Sequence, residues 1–168
     1  MEKVALFVDV QNIYYTTKKI HGCHFDYRAF WNMATTGRQV VKAVAYAIDR
    51  GDKTQMRFQE ILRKIGFEVK LKPFTQRRDG STKGDWDVGI ALDMMDCAAI
   101  ANILVLASGD GDFDVALDRV RARFGVNTEV YGVPGLTARS LINAASRFVP
   151  IQGQLLLRRA HQEPDPFR

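Results

Sequence analysis

The chain has 168 residues, 46% of them hydrophobic and 26% charged, with a net charge of +5. This length predicts one compact domain with its own core, and the hydrophobic content excludes a disordered chain. No apolar run approaches the ~20 residues of a membrane helix, no signal peptide is readable, and the two cysteines form no zinc or disulfide pattern, so we expect a cytoplasmic protein without a membrane partner.

Short apolar runs rich in β-branched residues alternate with segments of helical periodicity. Such runs are typical of strands that are buried on both faces of a parallel sheet. The predicted strands are Val4–Val10, Val40–Ile48, Phe67–Leu71, Ile103–Ala107 and Val126–Tyr131. The predicted helices are Ile13–Lys19, Tyr27–Thr35, Lys53–Ile65, Trp86–Ile100, Asp112–Phe124 and Leu136–Ala145. This alternation predicts an α/β fold, a three-layer α/β/α sandwich around a mostly parallel central sheet.

The segment Pro73–Gly84 fits neither pattern. It combines turn-forming residues with three cationic side chains, Arg77, Arg78 and Lys83. This composition predicts a basic loop, which could clamp a phosphate backbone or serve only as a solvated surface loop.

The last segment, 153–168, contains three leucines and ends in a proline-containing stretch. It predicts a short helix with a frayed end, following a domain of residues 1–152. The leucines, Leu155–Leu157, leave two alternatives open. They could form a homodimer contact, or the short helix could pack back onto the domain.

Acidic residues follow the predicted strand ends. Asp9 ends the first strand, Asp110 and Asp112 follow the fourth, and Asp87 opens the helix before the fourth. Ligands of an open parallel sheet bind outside the carboxyl ends of its strands, where these acids converge if the first and fourth strands are neighbours. Converging carboxylates repel one another unless a cation lies among them, so the pattern predicts a hard divalent cation such as Mg²⁺.

Asp9 is the most informative of these acids because it stands inside an apolar run, where a carboxylate must be hydrogen-bonded or metal-bound. The other three also fit ordinary roles as helix caps or first-turn acids. Asn12 could hydrogen-bond Asp9, orient a water or cap the next helix. Ser108 and its flanking glycines could contact an anion or form only a tight turn.

Helical geometry separates the acids of the predicted helix Trp86–Ile100. At 100° per residue, Asp93 lies about 120° from Asp87 around the axis, so we expect it behind the ligands rather than among them. Asp96 lies about 180° from Asp87 and falls outside the site. The sequence contains no P-loop, dinucleotide-binding or serine-hydrolase motif, which argues against those three classes of protein.

Five segments carry a family resemblance in this order: FVDVQNIYY, KGDWDVGIALDMM, SGDGDF, VYGVPG and LINAASRFV. Together they span about residues 3–151 and resemble the NYN domain family, more narrowly the LabA-like branch of the PIN-like nuclease superfamily. The resemblance implies a PIN-like, Rossmann-like fold and a Mg²⁺- or Mn²⁺-dependent ribonuclease site, often with a role in bacterial RNA metabolism.

The same resemblance implies roles for individual residues. Catalytic and metal-binding roles fall on Asp9, Asp87, Asp110 and Asp112. Supporting roles behind them fall on Asn12, Asp93 and Ser108. One position departs from the pattern, because Gly89 stands where many relatives carry another Asp.

We therefore expect a metal-dependent ribonuclease that cuts single-stranded RNA endonucleolytically, with the basic loop as its substrate clamp. Two alternatives stay open. One is a noncatalytic RNA-binding or regulatory module whose acidic pocket is vestigial or holds a structural ion. The other is a hydrolase of nucleotides or small phosphate esters, which would need a closed pocket. Lys18, Lys19 and Arg139 are the next candidates for RNA contact.

Overall fold

A computed structural model describes residues 1–73 and 85–157, and the backbone of residues 75–76 and 82–83 between them. Its strands are β1 (Glu2–Asp9), β2 (His24–Phe25), β3 (Arg38–Asp49), β4 (Glu68–Pro73), β5 (Thr75–Gln76), β6 (Thr82–Lys83), β7 (Ile103–Ala107), β8 (Asn127–Gly132), β9 (Arg147–Pro150) and β10 (Leu156–Leu157). Its α-helices are α1 (Val10–His21), α2 (Tyr27–Thr35), α3 (Lys53–Ile65), α4 (Asp87–Ala98), α5 (Asp114–Phe124) and α6 (Arg139–Ala144). Two 3-10 turns occupy Gly111–Phe113 and Gly153–Leu155.

Six of these strands form a parallel central sheet in the order β4-β3-β1-β7-β8-β9. The chain builds outward from β1 to β4, then returns to β7 on the other side of β1 and builds outward again to β9. The strand order therefore reverses between β1 and β7, which is the switch point where ligands bind in open α/β sheets. The predicted α/β class with a mostly parallel sheet is confirmed, and the first and fourth predicted strands are neighbours.

The apolar runs form strands because helices cover both faces of the sheet. In β1, Leu6 packs with the helices on one face and Phe7 with those on the other, and neither side chain is exposed. One face packs against α1, α2 and α3 through Ile13, Phe30, Phe58 and Leu62. The other packs against α4, α5 and α6 through Ile90, Met94, Leu117 and Leu141. These are the three layers that the alternation of elements predicts.

Local signals explain several helix boundaries. Asp52 begins α3 by accepting a hydrogen bond from the Gln55 amide at 2.6 Å. Gly125 ends α5 in the left-handed conformation that favours glycine, with φ of 69°. Helix α5 begins two residues later than predicted because Gly111–Phe113 forms a 3-10 turn. Among the residues that the structure describes, no helix is long and apolar enough to cross a membrane.

The sequence pattern did not predict the short strands. The edge strand β9 presents Val149 as its one buried apolar side chain, so it lacks the continuous apolar run of the inner strands. The predicted basic loop also contains regular structure, because β5 pairs with β6 in antiparallel fashion. The prediction that no element lies in this segment is therefore wrong for those two strands.

The predicted C-terminal helix is wrong for the residues that the structure describes. Gly153–Leu155 forms a single 3-10 turn, and β10 then pairs antiparallel with β2. Leu155 and Leu156 are buried in the core on the α1–α3 face of the sheet. Leu155 and Leu156 thus pack back onto the domain and are not exposed for a dimer contact, whereas Leu157 is half-buried. Residues 158–168 lie outside the described residues.

The packing of Leu155 generates a stability prediction. Its side chain is 2% exposed, so Leu155→Ala should lower the free energy of unfolding by about 2–5 kcal/mol, as loss of a buried leucine does. The change can be measured by urea denaturation. Ile100→Ala removes an apolar side chain that is 57% exposed and should change stability by less than about 1 kcal/mol. Equal effects of the two substitutions would contradict the packing described here.

Candidate metal centre

Four acidic side chains lie at the carboxyl edge of the sheet around the switch point. Asp9 is the last residue of β1, and Asp87 is the first residue of α4. Asp110 and Asp112 follow β7 in the turn that leads into α5. The convergence that the strand ends predict is therefore present in the tertiary structure.

Three of these carboxyl groups are close enough to share one ion. Asp87, Asp110 and Asp112 each offer an oxygen, and these oxygens all lie within 4.8 Å of one another. Around an ion with ligands at about 2.1 Å, adjacent oxygens lie about 3 Å apart and opposite ones about 4.2 Å apart. Small side-chain rotations would close the difference. An all-carboxylate set fits Mg²⁺ or Mn²⁺ and not a soft metal.

Asp9 contacts this group through a serine hydroxyl. The Ser108 hydroxyl donates a hydrogen bond to the Asp9 carboxylate at 3.1 Å, and the Asp110 amide donates to the same hydroxyl oxygen at 3.1 Å. Among the described residues, the set of mutually close oxygens does not include Asp9. Asp9 and Ser108 therefore position the loop that carries Asp110.

The turn after β7 is held by hydrogen bonds from both sides. The Gly109 amide donates to the side-chain oxygen of Asn12 at 2.8 Å, which ties the start of α1 to the turn. The Asp112 amide donates to the Asp110 carboxylate at 2.9 Å. The Asn12 side chain thus anchors the backbone of the turn, a role not considered from the sequence, and it is the Asn12 backbone that hydrogen-bonds Asp9. Asp110 caps the 3-10 turn with one oxygen and remains part of the acidic group.

Gly109 and Gly111 are required by a close approach of two segments. A Cβ at Gly109 would collide with the carbonyl oxygen of Leu136, and one at Gly111 would lie 2.8 Å from the Cβ of Ala138. The Ala138 amide also donates to the Gly109 carbonyl at 3.0 Å. These glycines let the acidic turn pack against the segment before α6, which fixes its position.

Trp86 anchors the start of α4, a role that sequence reasoning missed. Its ring nitrogen donates to the Ala47 carbonyl of β3 at 2.9 Å, and Lys72 lies 4.5 Å from the ring centroid. A Cβ at Gly89 would lie 2.8 Å from the Trp86 ring. Gly89 thus makes room for the tryptophan that anchors the start of α4, where Asp87 lies. The spacing of an aromatic residue and a glycine within one helical turn, WDVG, was the available signal.

Asp93 is not brought together with the three carboxylates. Its carboxylate accepts hydrogen bonds from the Lys70 ammonium and the Tyr46 hydroxyl, both at 2.7 Å. Burial alone would raise the pKa of Asp93, but these two hydrogen bonds and the Lys70 charge outweigh it and lower that pKa. The expected place behind the ligands is corrected to an ion pair on β3 and β4, because the rotation around α4 directs Asp93 toward those strands.

Burial and repulsion raise the pKa values of two carboxyl groups of the site. Burial is the main reason that the pKa of Asp9 rises from 3.8 to about 6, and the hydrogen bond from Ser108 opposes it. Burial also raises the pKa of Asp87 to about 7, and a hydrogen bond and charge repulsion with Asp110 add to the shift. A divalent cation among these groups would favour their ionised forms and oppose both shifts.

Of the three basic residues predicted to bind substrate, the structure describes only the backbone of one. Arg77 and Arg78 lie outside the described residues. For Lys83 the structure describes the backbone, which pairs with Thr75. Their predicted role therefore stays a prediction.

Comparison with known proteins extends over nearly the whole chain. The model of the NYN domain family matches residues 3–152. Low amplitude and bright protein LabA of Synechococcus elongatus is 28% identical over 173 aligned residues, which cover 98% of this chain and 92% of that protein. A crystal structure of a protein of unknown function from Vibrio parahaemolyticus is 51% identical with a TM-score of 0.89, and the match covers 93% of this chain and 96% of the other.

The raised pKa of Asp9 predicts how stability depends on pH. An acid with a raised pKa in the folded state adds stability at low pH, which is lost as pH rises from about 4 through about 6. The side chain in Asp9→Asn cannot ionise. In EDTA, the free energy of unfolding of this variant relative to that of the wild type should therefore rise by about 2–3 kcal/mol between pH 4 and pH 8. Urea denaturation at both pH values measures this difference. Parallel pH profiles of the two proteins would contradict the burial of an ionisable Asp9.

The acidic group also predicts stabilisation by metal. Mn²⁺ or Mg²⁺ at 100 times its Kd should stabilise the folded protein by about 2.7 kcal/mol and raise Tm, provided that the unfolded chain does not bind it. Asp110→Asn should reduce the rise in Tm, while Asp118→Asn, an exposed acid on α5 outside the acidic group, should retain it. Equal shifts in both variants would show that the ion binds elsewhere.

Proposed function

This chain belongs to the NYN domain family, and from that premise we propose that it is a ribonuclease that depends on a divalent metal ion. The observation that carries the proposal is the group formed by Asp87, Asp110 and Asp112 at the switch point of the sheet. RNA is proposed as the substrate because proteins of this family are associated with RNA. The proposed reaction is hydrolysis of a phosphodiester bond.

Each side chain of the site has a proposed role in this reaction. Mg²⁺ or Mn²⁺, when bound, activates water and neutralises charge on the phosphate. Asp87, Asp110 and Asp112 would hold the ion through carboxylate oxygens. Asp9 keeps the Ser108 hydroxyl in the orientation in which it accepts from the Asp110 amide, and its own negative charge strengthens the field at the ion.

We propose single-stranded RNA as the substrate and endonucleolytic cutting as the mode. Asp87 and Asp110 are half-buried at the sheet edge, so the RNA backbone must bend toward the protein for a phosphate to reach them. A strand free of base pairing can bend to do this more easily than a duplex. Endonucleolytic cutting also requires that the chain pass through the site, and the acidic group is open to solvent at the exposed Asp112.

The basic loop is proposed as the clamp for the RNA backbone. Arg77, Arg78 and Lys83 precede Asp87 closely in the sequence, and cations near the scissile bond would contact phosphates without regard to base. For single-stranded RNA, the logarithm of the binding constant falls with the logarithm of the salt concentration, and the slope is about −0.7 per phosphate neutralised. A smaller slope in the Arg77→Ala/Arg78→Ala variant would support the clamp, and an unchanged slope would exclude it.

The catalytic proposal predicts loss of cleavage when the acidic group is altered. The substrate is circular, labelled, single-stranded RNA with Mg²⁺ or Mn²⁺, because a circle has no end and is opened only by an endonuclease. Asp110→Asn and Asp9→Asn should each reduce the rate by about two orders of magnitude or more, since each disturbs electrostatic stabilisation at the reacting phosphate. Product linearisation measures the rate.

The control for this experiment is Asp118→Asn, which removes an equal charge from the exposed face of α5 and should cleave at the wild-type rate. Equal cleavage by wild type and Asp110→Asn would identify a contaminating nuclease and refute the proposal. RNA binding without cleavage by pure wild-type protein would favour the noncatalytic RNA-binding module.

A further inference from the structure

A groove of about 450 Å³ lies between α4 and α5 and opens directly beside the acidic group. Asp87 and Asp112 form its wall at one end and also belong to the set of three close carboxylates. The rest of the groove extends along the two helices, away from the sheet edge. The proposed reaction centre and the groove are therefore continuous.

Beyond these two acids, the groove is lined mainly by apolar side chains that face solvent. Val88 and Leu92 on α4 are 71% and 60% exposed, and Val115 on α5 is 67% exposed. The buried faces of these helices are formed by other residues, among them Ile90 and Leu117. The exposed side chains therefore add nothing to the core, and grouped apolar residues on a surface are typical of binding sites.

Arg119 lines the same groove beyond the apolar side chains. It follows Asp112 by seven residues, which corresponds to about 10 Å of helical rise. Val115 precedes Arg119 by four residues, so the two lie on one face of α5. The groove thus presents carboxylates for a cation, an apolar wall and a positive charge in succession.

We infer that this groove binds the nucleotide next to the scissile phosphate, with its base against Val88, Leu92 and Val115 and its outer phosphate at Arg119. The inference rests on the proposed function in taking RNA as the ligand. Bases taken out of a stack pack well between apolar side chains. A volume of about 450 Å³ is in the range of sites for small ligands, and a protein partner would need a larger face of about 800 Å².

The chemistry of the groove also sets its selectivity. Arg119 and the two carboxylates are the charged groups among the residues that line it. An apolar wall distinguishes bases by the area they bury and not by hydrogen bonds. A purine should therefore be held more tightly than a pyrimidine.

Binding of two RNA ten-mers, measured by fluorescence anisotropy in EDTA so that the proposed nuclease cannot cut them, tests the inference. One ten-mer contains adenine throughout, and the other has the same ribose phosphates without bases, so both carry the same charge. Leu92→Gln should weaken binding of the adenine ten-mer about tenfold and leave binding of the abasic one unchanged, because burial of a leucine side chain against a base contributes on this scale. Met56→Gln, also an exposed apolar side chain but on α3, should bind both as the wild type does.

Arg119 is tested separately through the salt dependence of binding. Arg119→Gln should reduce the salt slope for both ten-mers by about 0.7, the value for one phosphate contact. Arg123→Gln, which alters an exposed arginine one turn further along α5 and outside the groove, should leave the slope unchanged. A retained rise in Tm with Mn²⁺ would show that each variant is folded and keeps its metal centre.

The outcomes separate this inference from the proposed function. Cleavage by wild type, with Leu92→Gln weakening both ten-mers equally or neither, overturns the groove and leaves the ribonuclease standing. Absence of cleavage, with base-dependent binding that Leu92→Gln removes, overturns the ribonuclease and leaves the groove. A dimer that Leu92→Gln dissociates in sedimentation would identify the groove as a contact between copies and overturn the inference.

Discussion

The parallel pairing of β1 with β7 is the contact on which the candidate metal centre depends. Val8 pairs with Ala107, so the next residues of the two strands, Asp9 and Ser108, come side by side where both leave the sheet. Side chains with no exposed surface cover both faces of β1 and β7, among them Phe7 and Val105. The core, and not a surface loop, therefore determines where the acidic turn begins.

Two acids of helix α4 show how the surroundings decide the role of a carboxylate. Asp93 is neutralised by Lys70 and hydrogen-bonded by Tyr46, which lowers its pKa and makes it a structural ion pair. Asp87 is partly buried and faces Asp110, which together raise its pKa to about 7. Holding like charges close together costs free energy of folding, and such unfavourable arrangements concentrate at functional sites.

Much of the fold was predictable from the sequence because the sheet is buried on both faces. Burial on both faces requires continuous apolar runs, as in Ile103–Ala107, whose predicted bounds are those of β7. Helix α3 was equally predictable from its periodicity and from the glycine that ends it. Edge strand β9 and the pair of β2 and β10 were not, since short strands are specified by the partner that they meet and not by a pattern of their own.

The sequence by itself determined which acids stand at strand ends, Asp9 among them. It follows from the sequence that these acids meet if the first and fourth strands pair. Only the tertiary structure decided which acids share an ion, because side-chain direction depends on helix rotation and on neighbours. It turned Asp93 toward Lys70, made Asn12 an anchor for Gly109, and aligned α4 with α5 to form the groove. Residues far apart in the chain make each of these contacts, and local propensity carries no information about them.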